Sequence, residues 1–165
     1  MEIDNIVKQI RKQQLECSHH VYIELLTEEK IKELLIDGNY FYAERDGKIL
    51  VFFYIRPLLE SFKLYRLGGF VISDVENPSF IIKREIVNLL KKFKNYVFKY
   101  NISFMSESGT ISLESFLFNM GAKKLSFEEC LTKYSLFLKA YIDKSIEIEE
   151  FFKSKIFYIR EANNI

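Results

Sequence analysis

Apolar residues at Ile3, Ile6, Val7 and Ile10 recur at helical spacing, with Lys8, Arg11, Lys12 and Gln13 on the other side, and predict a helix over residues 3–16 with one buried stripe. Residues 20–26 read as a short strand. Thr27-Glu-Glu-Lys30 then opens a second helix: the Thr27 hydroxyl can cap it, and the two acids suit the positive end of the helix dipole. Ile31, Leu34 and Leu35 form its inner side, and Gly38 marks its stop. From Tyr40 the period changes to that of a strand. Residues 40–45 and 48–55 are aromatic and β-branched runs joined by Asp46-Gly47, a pair suited to a two-residue hairpin turn. Pro57 is expected to end the second of these strands. Residues 63–73 form a third, interrupted by Gly68-Gly69, which marks a bulge or a close backbone approach.

After Asn77-Pro78-Ser79 a helix is expected to run to about residue 96, with Ile82, Ile86, Leu89, Leu90, Phe93 and Val97 inward. A strand over residues 98–105 follows. A shorter helix at 110–120 turns Leu113, Phe116, Leu117 and Met120 inward and closes at Gly121. Two strand-like runs come next, at 122–127 and 130–138. The acidic segment 143–150 reads as a helix, and Lys155-Ile-Phe-Tyr-Ile-Arg160 closes the pattern. The order predicts a mixed α/β fold, with a central, mostly antiparallel sheet flanked by helices.

With 165 residues the chain is long enough to bury a core without a disulfide or metal staple. Its formal charge of +1, from 24 Lys+Arg against 23 Asp+Glu, argues against a nucleic-acid partner, because such binding needs a surplus of cations to displace phosphate counterions. The start Met1-Glu-Ile-Asp-Asn5 is acidic where a signal peptide is basic, and no apolar run approaches the ~18 residues of a membrane span. A cytoplasmic protein with no membrane partner is expected. Cys17 and Cys130 stand alone, without zinc-ligand spacing, and His19-His20 would point to opposite sides of a strand, so no metal site is expected.

In this order of elements, several strings resemble the GNAT superfamily of acyl-CoA-dependent N-acyltransferases. Tyr42-Ala-Glu-Arg-Asp-Gly-Lys-Ile-Leu50 is similar to that fold's second and third strands, and Gly69-Phe-Val-Ile72 to the end of its fourth. Phe116-Leu-Phe-Asn-Met-Gly-Ala122 resembles its helix-to-strand segment, and the likeness covers about residues 20–140. The resemblance implies acetyl-CoA or CoA as cofactor and an amine, on a small molecule or a peptide, as acceptor. It places the cofactor against Phe70, Val71 and Ile72 and the turn Asn77, Ser79 and Phe80, with Lys83 and Arg84 near the phosphates. The phosphate loop is degenerate: the family's basic position falls on Glu76, and positions that carry glycine fall on Asn77, Ser79 and Ile81.

The family's proton-donating tyrosine aligns with Leu117, and a preceding asparagine with Thr110. Glu107, flanked by Ser106 and Ser108, is the candidate base, and Tyr65 a substitute acid. Each has a plainer reading, Glu107 as a solvated acid near a helix start and Tyr65 as one of 10 tyrosines. The basic stretch Lys83, Arg84, Lys91, Lys92, Lys94 and Lys99 is either the solvated side of a helix or a surface for an acidic ligand.

Phe157-Tyr-Ile-Arg-Glu-Ala-Asn163 resembles the opening strand of a GNAT domain. Residues 1–142 then form one GNAT-like domain, and 143–165 a C-terminal helix and strand that either begin a second such domain or pair with a sheet edge, here or in a homodimer. Two functions follow from the resemblance. One is transfer of an acetyl group from acetyl-CoA to an amine; the other is a catalytically degenerate interaction or dimerisation module, expected if Phe80 or Ile81 fills the cofactor cleft.

Overall fold

The computed structural model describes residues 1–16, 25–60, 63–72, 80–108, 111–141 and 156–162, and absences stated below concern these residues. The elements run α1 (Ile3–Glu16), α2 (Glu28–Ile36), β1 (Tyr40–Arg45), β2 (Lys48–Leu59), β3 (Leu64–Ile72), α3 (Phe80–Tyr100), β4 (Ser103–Ser108), α4 (Ile111–Asn119), β5 (Lys123–Lys124), α5 (Phe127–Leu131), α6 (Ser135–Tyr141) and β6 (Ile156–Arg160). One six-stranded sheet has the order β1-β2-β3-β4-β6-β5. The chain divides into two compact units, Met1–Ile55 with Gly68–Phe93, and Arg56–Leu67 with Lys94–Ile165.

In the first unit the hairpin forms as the pattern predicts. Asp46 and Gly47 both take positive φ, 52° and 76°, the geometry that lets a two-residue turn match the strand twist. Thr27 accepts the Lys30 N–H at 3.2 Å and starts α2. Ile6, Val7 and Ile10 of α1 and Ile31 and Leu34 of α2 pack on Tyr40, Phe52, Tyr54 and Val71. Opposite them, Phe93 of α3 meets Phe41 and Phe53 edge-on at 4.9 and 5.0 Å. Two glutamines tie α1 to the start of β2: Gln9 donates to the Gly47 carbonyl at 2.8 Å and accepts the Ile49 N–H at 2.9 Å, while Gln13 donates to the Ile49 carbonyl at 3.1 Å. These amides extend the strand's hydrogen bonding where β1–β2 pairing shifts register, between Ala43 and Glu44.

Gly69 is the point at which β3 departs from a regular strand. Its φ is +66°, and a Cβ placed there would lie 2.6 Å from Tyr54 Cδ1. Glycine is therefore required twice over, by backbone angle and by space. Along β3 the buried positions run Leu64, Arg66, Leu67 and Val71, so the alternation slips by one residue as a bulge demands.

In the second unit β6 lies between β4 and β5, antiparallel to both. The string that resembles an opening strand is thus paired on each side within this sheet. Arg160 on β6 is buried and donates to the Met120 carbonyl at 2.8 Å and the Ile102 carbonyl at 2.6 Å, with its guanidinium 5.2 Å from the Phe98 ring. One side chain thereby satisfies carbonyls just past the ends of both α3 and α4.

Four expectations are corrected. The run at 130–138 is not a strand but the end of α5, a turn at 132–134 and the start of α6: Cys130, Tyr134 and Leu138 recur every four residues and are all buried, and Ser126 and Glu129 close a reciprocal capping box before α5. Of the run at 122–127 only Lys123–Lys124 is strand. Residues 98–100 belong to α3, not to the following strand. β2 also continues through Pro57, because β1 begins at Tyr40, opposite Tyr54, and no β1 residue stands opposite the proline to need its N–H. The readings at 17–24 and 142–155 lie outside the described residues.

Gly69→Ala is expected to cost about 2–4 kcal/mol, from strained φ plus collision with Tyr54. Arg160→Met is expected to cost about 2–3 kcal/mol through two unsatisfied carbonyls. Urea unfolding measures both; changes within ~0.5 kcal/mol, the range of ordinary surface substitutions, would contradict these roles.

Candidate functional site

β3 and β4 are parallel neighbours, paired at Leu64–Ser103, Tyr65–Phe104 and Arg66–Met105, and among the described residues the ladder ends there. One residue further, the buried Ser106 hydroxyl donates to the Leu67 carbonyl at 3.0 Å, so a side chain supplies the bond that a continued ladder would have made. β4 stays paired along its other edge, Ser106 with Tyr158 and Glu107 with Phe157.

Strand partners project to the same side of a sheet. Tyr65, Phe104, Ser106, Tyr158 and Arg160 therefore share one face, and Arg66, Met105, Glu107, Phe157 and Ile159 the other. On the first face the Tyr158 hydroxyl donates to the Glu114 carboxylate in the first turn of α4, and its ring meets Phe118 edge-on at 5.8 Å. Burial, and then the carboxylate, hold this phenol well above the ordinary tyrosine range. Tyr96 of α3 is also raised, chiefly by burial and then by its neighbours Tyr65 and Tyr100. On the second face Glu107 is half-buried. There α5 and α6 are anchored to β5: Lys123 Nζ lies 5.2 Å from the Tyr134 ring centroid and 3.5 Å from the Glu129 carboxylate.

The two candidate proton-transfer residues are separated. Tyr65 stands opposite Phe104, so Glu107 is three positions on, ~10 Å along the strand, and on the other face. They do not form one acid–base pair. Leu117, in the register of the family's tyrosine, is fully buried. The residue pair that the sequence did not reveal is Tyr158–Glu114: Tyr158 reads simply as part of an apolar strand, and no spacing links it to a glutamate 44 positions earlier.

At the end of β3, Phe70 stacks on Phe53 at 5.6 Å, Val71 is buried against the α1–α2 side, and Ile72 is half-buried. Phe80 opens α3 with 79% of its surface exposed, and Lys83 and Arg84 are exposed one turn on. Glu76, Asn77, Ser79, Thr110 and His19-His20 lie outside the described residues. Among the described residues no cluster of His, Cys, Asp or Glu could hold a metal ion, and no helix is long and apolar enough to cross a membrane.

The mixed α/β architecture, a six-stranded, mostly antiparallel sheet flanked by helices, is the fold of the GNAT N-acetyltransferases. Among similar solved structures is the Mycobacterium tuberculosis protein Rv2747 in complex with CoA, 11% identical, with a TM-score of 0.59 over 94% of this chain and 93% of that one. The ribosomal-protein-alanine N-acetyltransferase of Brucella melitensis gives 11% identity and a TM-score of 0.58, over 95% and 94% of the two chains. N-acetylglutamate synthase from Neisseria gonorrhoeae, complexed with coenzyme A and N-acetyl-glutamate, gives 11% and 0.57, over 94% of this chain but 32% of its own. No family model and no curated protein matches the sequence. The likeness is one of fold.

Cys130 is not equipped as a nucleophile. It is fully buried in α5, and burial, followed by the Glu129 charge, pushes its thiol up to about 11. Because the folded-state value lies above the ordinary thiol value of 9.0, this group's stabilising contribution is complete below pH 9 and falls away as pH rises towards 11. In a Cys17→Ser variant, labelling by a thiol reagent at pH 8 should be slow and limited by unfolding. Labelling as fast as that of a free thiol would contradict the burial.

Proposed function

We propose that this chain is an N-acyltransferase that moves an acetyl group from acetyl-CoA to an amine on a small molecule or peptide. The observation that carries the reading is the early end of the β3–β4 ladder, next to the Gly69 bulge, in a fold whose neighbours include structures solved with CoA. The residues fit such a cofactor at the strand: backbone groups at Phe70, Val71 and Ile72 follow the bulge, and Phe80 and Ile81 are 79% and 41% exposed, so neither fills the place by packing into the core. When bound, acetyl-CoA supplies an acyl group activated as a thioester.

The chain's own groups would act mainly by orientation and polarisation. N–H groups of residues 70–72 would hold the pantetheine arm and its carbonyl, and Asn77, Ser79 and Phe80, with Lys83 and Arg84 beyond them, would face the phosphates. Glu107 would take the proton from the attacking ammonium, directly or through water, with the Ser106 side chain holding β4 in place beside it. Tyr65, on the opposite face, is a proton donor only for a leaving group that reaches that side.

A second reading, a catalytically degenerate module for interaction or dimerisation, is favoured by Leu117, a buried apolar side chain where the family's resemblance calls for a phenol. Acetyl-CoA separates the two. Under the first reading, ligand at ~100 times its Kd stabilises the fold by about 2.7 kcal/mol, a shift of several degrees in Tm. Glu107→Gln should retain this shift while kcat, followed by thiol release over a panel of amines, falls ~100-fold or more. No shift at millimolar acetyl-CoA would end the enzyme reading for this chain.

A further inference from the structure

α3 is one unbroken helix, Phe80–Tyr100, and its inner side is accounted for by Leu89, Phe93 and Val97, all buried. Its outer side is unlike the rest of the chain. At 100° per residue the exposed positions, apart from Tyr100 at the C-terminal end, fall on one continuous arc that holds all six of its cations, Lys83, Arg84, Lys91, Lys92, Lys94 and Lys99. The helix has one acid, Glu85, which is half-buried at the margin of that arc. A chain with an overall charge of only +1 thus concentrates its positive charge on one helix, leaving a net negative remainder. Among the described residues none of the six cations makes an ion pair.

Apolar side chains run through the same arc. Phe80, Val87 and Phe98 lie within about 20° of one another around the axis and are 79%, 47% and 50% exposed. Lys83 and Lys94 flank this line on one side, and Lys91, Arg84, Lys92 and Lys99 on the other, with Ile81 (41% exposed) among the latter. The Lys94 ammonium stands 5.9 Å from the Phe98 ring centroid. An apolar line bordered by lysines, with no acid, is the arrangement of a helix that lies flat in a membrane interface, its stems covering the apolar residues and its ammonium groups in the headgroup layer.

We propose that the outer face of α3 binds the surface of an anionic lipid bilayer. The cations fit anionic headgroups, and the aliphatic Val87 and Ile81 decide between lipid and nucleic acid. Neither can stack on a base or contact a phosphate favourably, but both gain by entering the acyl boundary. The acidic remainder of the chain would be repelled from such a surface, which orients the molecule with α3 towards it. No spanning segment is needed. The expectation of no membrane partner rested on the lack of such a segment, and this surface does not require one.

Co-sedimentation with phosphatidylcholine vesicles containing about one-third phosphatidylglycerol tests the proposal, with pure phosphatidylcholine vesicles and a single-stranded RNA as comparisons. The intact chain should bind the anionic vesicles and be released by salt. The double variant Lys91→Glu, Lys94→Glu should weaken partitioning at least ~10-fold, from the loss of two lysines near the surface. Val87→Ser should weaken it several-fold, and Tm should be unchanged in both variants. The salt titration of the unaltered chain keeps the test decisive if a variant misfolds. The proposal is overturned by absence of binding to anionic vesicles, by binding indifferent to salt or to the charge reversal, or by equally tight RNA binding that Val87→Ser leaves intact.

Discussion

Gly69 has no side chain, and the space one would need is occupied by the Tyr54 ring, at a backbone angle few other residues accept. The irregular course of β3 follows from this. The strand keeps a regular alternation of buried and open positions only as far as Arg66, and its ladder with β4 stops at the pair Arg66–Met105. From there the Leu67 carbonyl relies on the Ser106 hydroxyl. The candidate cofactor strand, residues 70–72, and the candidate base, Glu107, both come directly after these breaks. A regular β3 would leave no reason to expect a ligand there.

β6 gives the second unit its organisation. Paired on both edges, it carries Arg160 to the ends of two helices and Tyr158 to the first turn of α4. Because strand partners share a side, it also makes the two faces chemically different. One holds phenols, Tyr65 and Tyr158, the latter tied to a carboxylate; the other holds the carboxylate of Glu107 beneath the side on which α5 and α6 are fastened. Tyr65 and Glu107, on opposite faces, are therefore not a matched acid and base.

Much of this was legible in the sequence where local pattern and tertiary packing agree. The α1 stripe, the Thr27 cap and the Asp46-Gly47 hairpin occupy the places their chemistry predicts. The segment after β5 reads as a strand because Cys, Thr, Tyr, Leu and Phe suit strands by propensity, whereas Cys130, Tyr134 and Leu138 are spaced for a helix, and the Ser126–Glu129 box announces it. Pro57 does not end β2, because a proline ends only a strand whose N–H is needed. At the site, Glu107 and Tyr65 were identifiable as residue types, but only the register shows that they face opposite ways. Tyr158–Glu114 was invisible, since their contact joins distant parts of the chain through β6. The fold was legible from element order; Leu117 and residues 76–81 do not carry the phenol and the glycines that the resemblance calls for, so no local signal fixed the chemistry.

The central claim is that the irregular end of β3 exists to receive acetyl-CoA. The most direct measurement is a titration of the isotope-labelled chain with acetyl-CoA followed through its amide resonances. The account predicts saturable shifts concentrated at Phe70, Val71 and Ile72, with Glu107 responding and the amides of α1 and α2 still. Shifts absent altogether at millimolar ligand, or confined to the lysines on the outer face of α3 and lost in moderate salt, would contradict it.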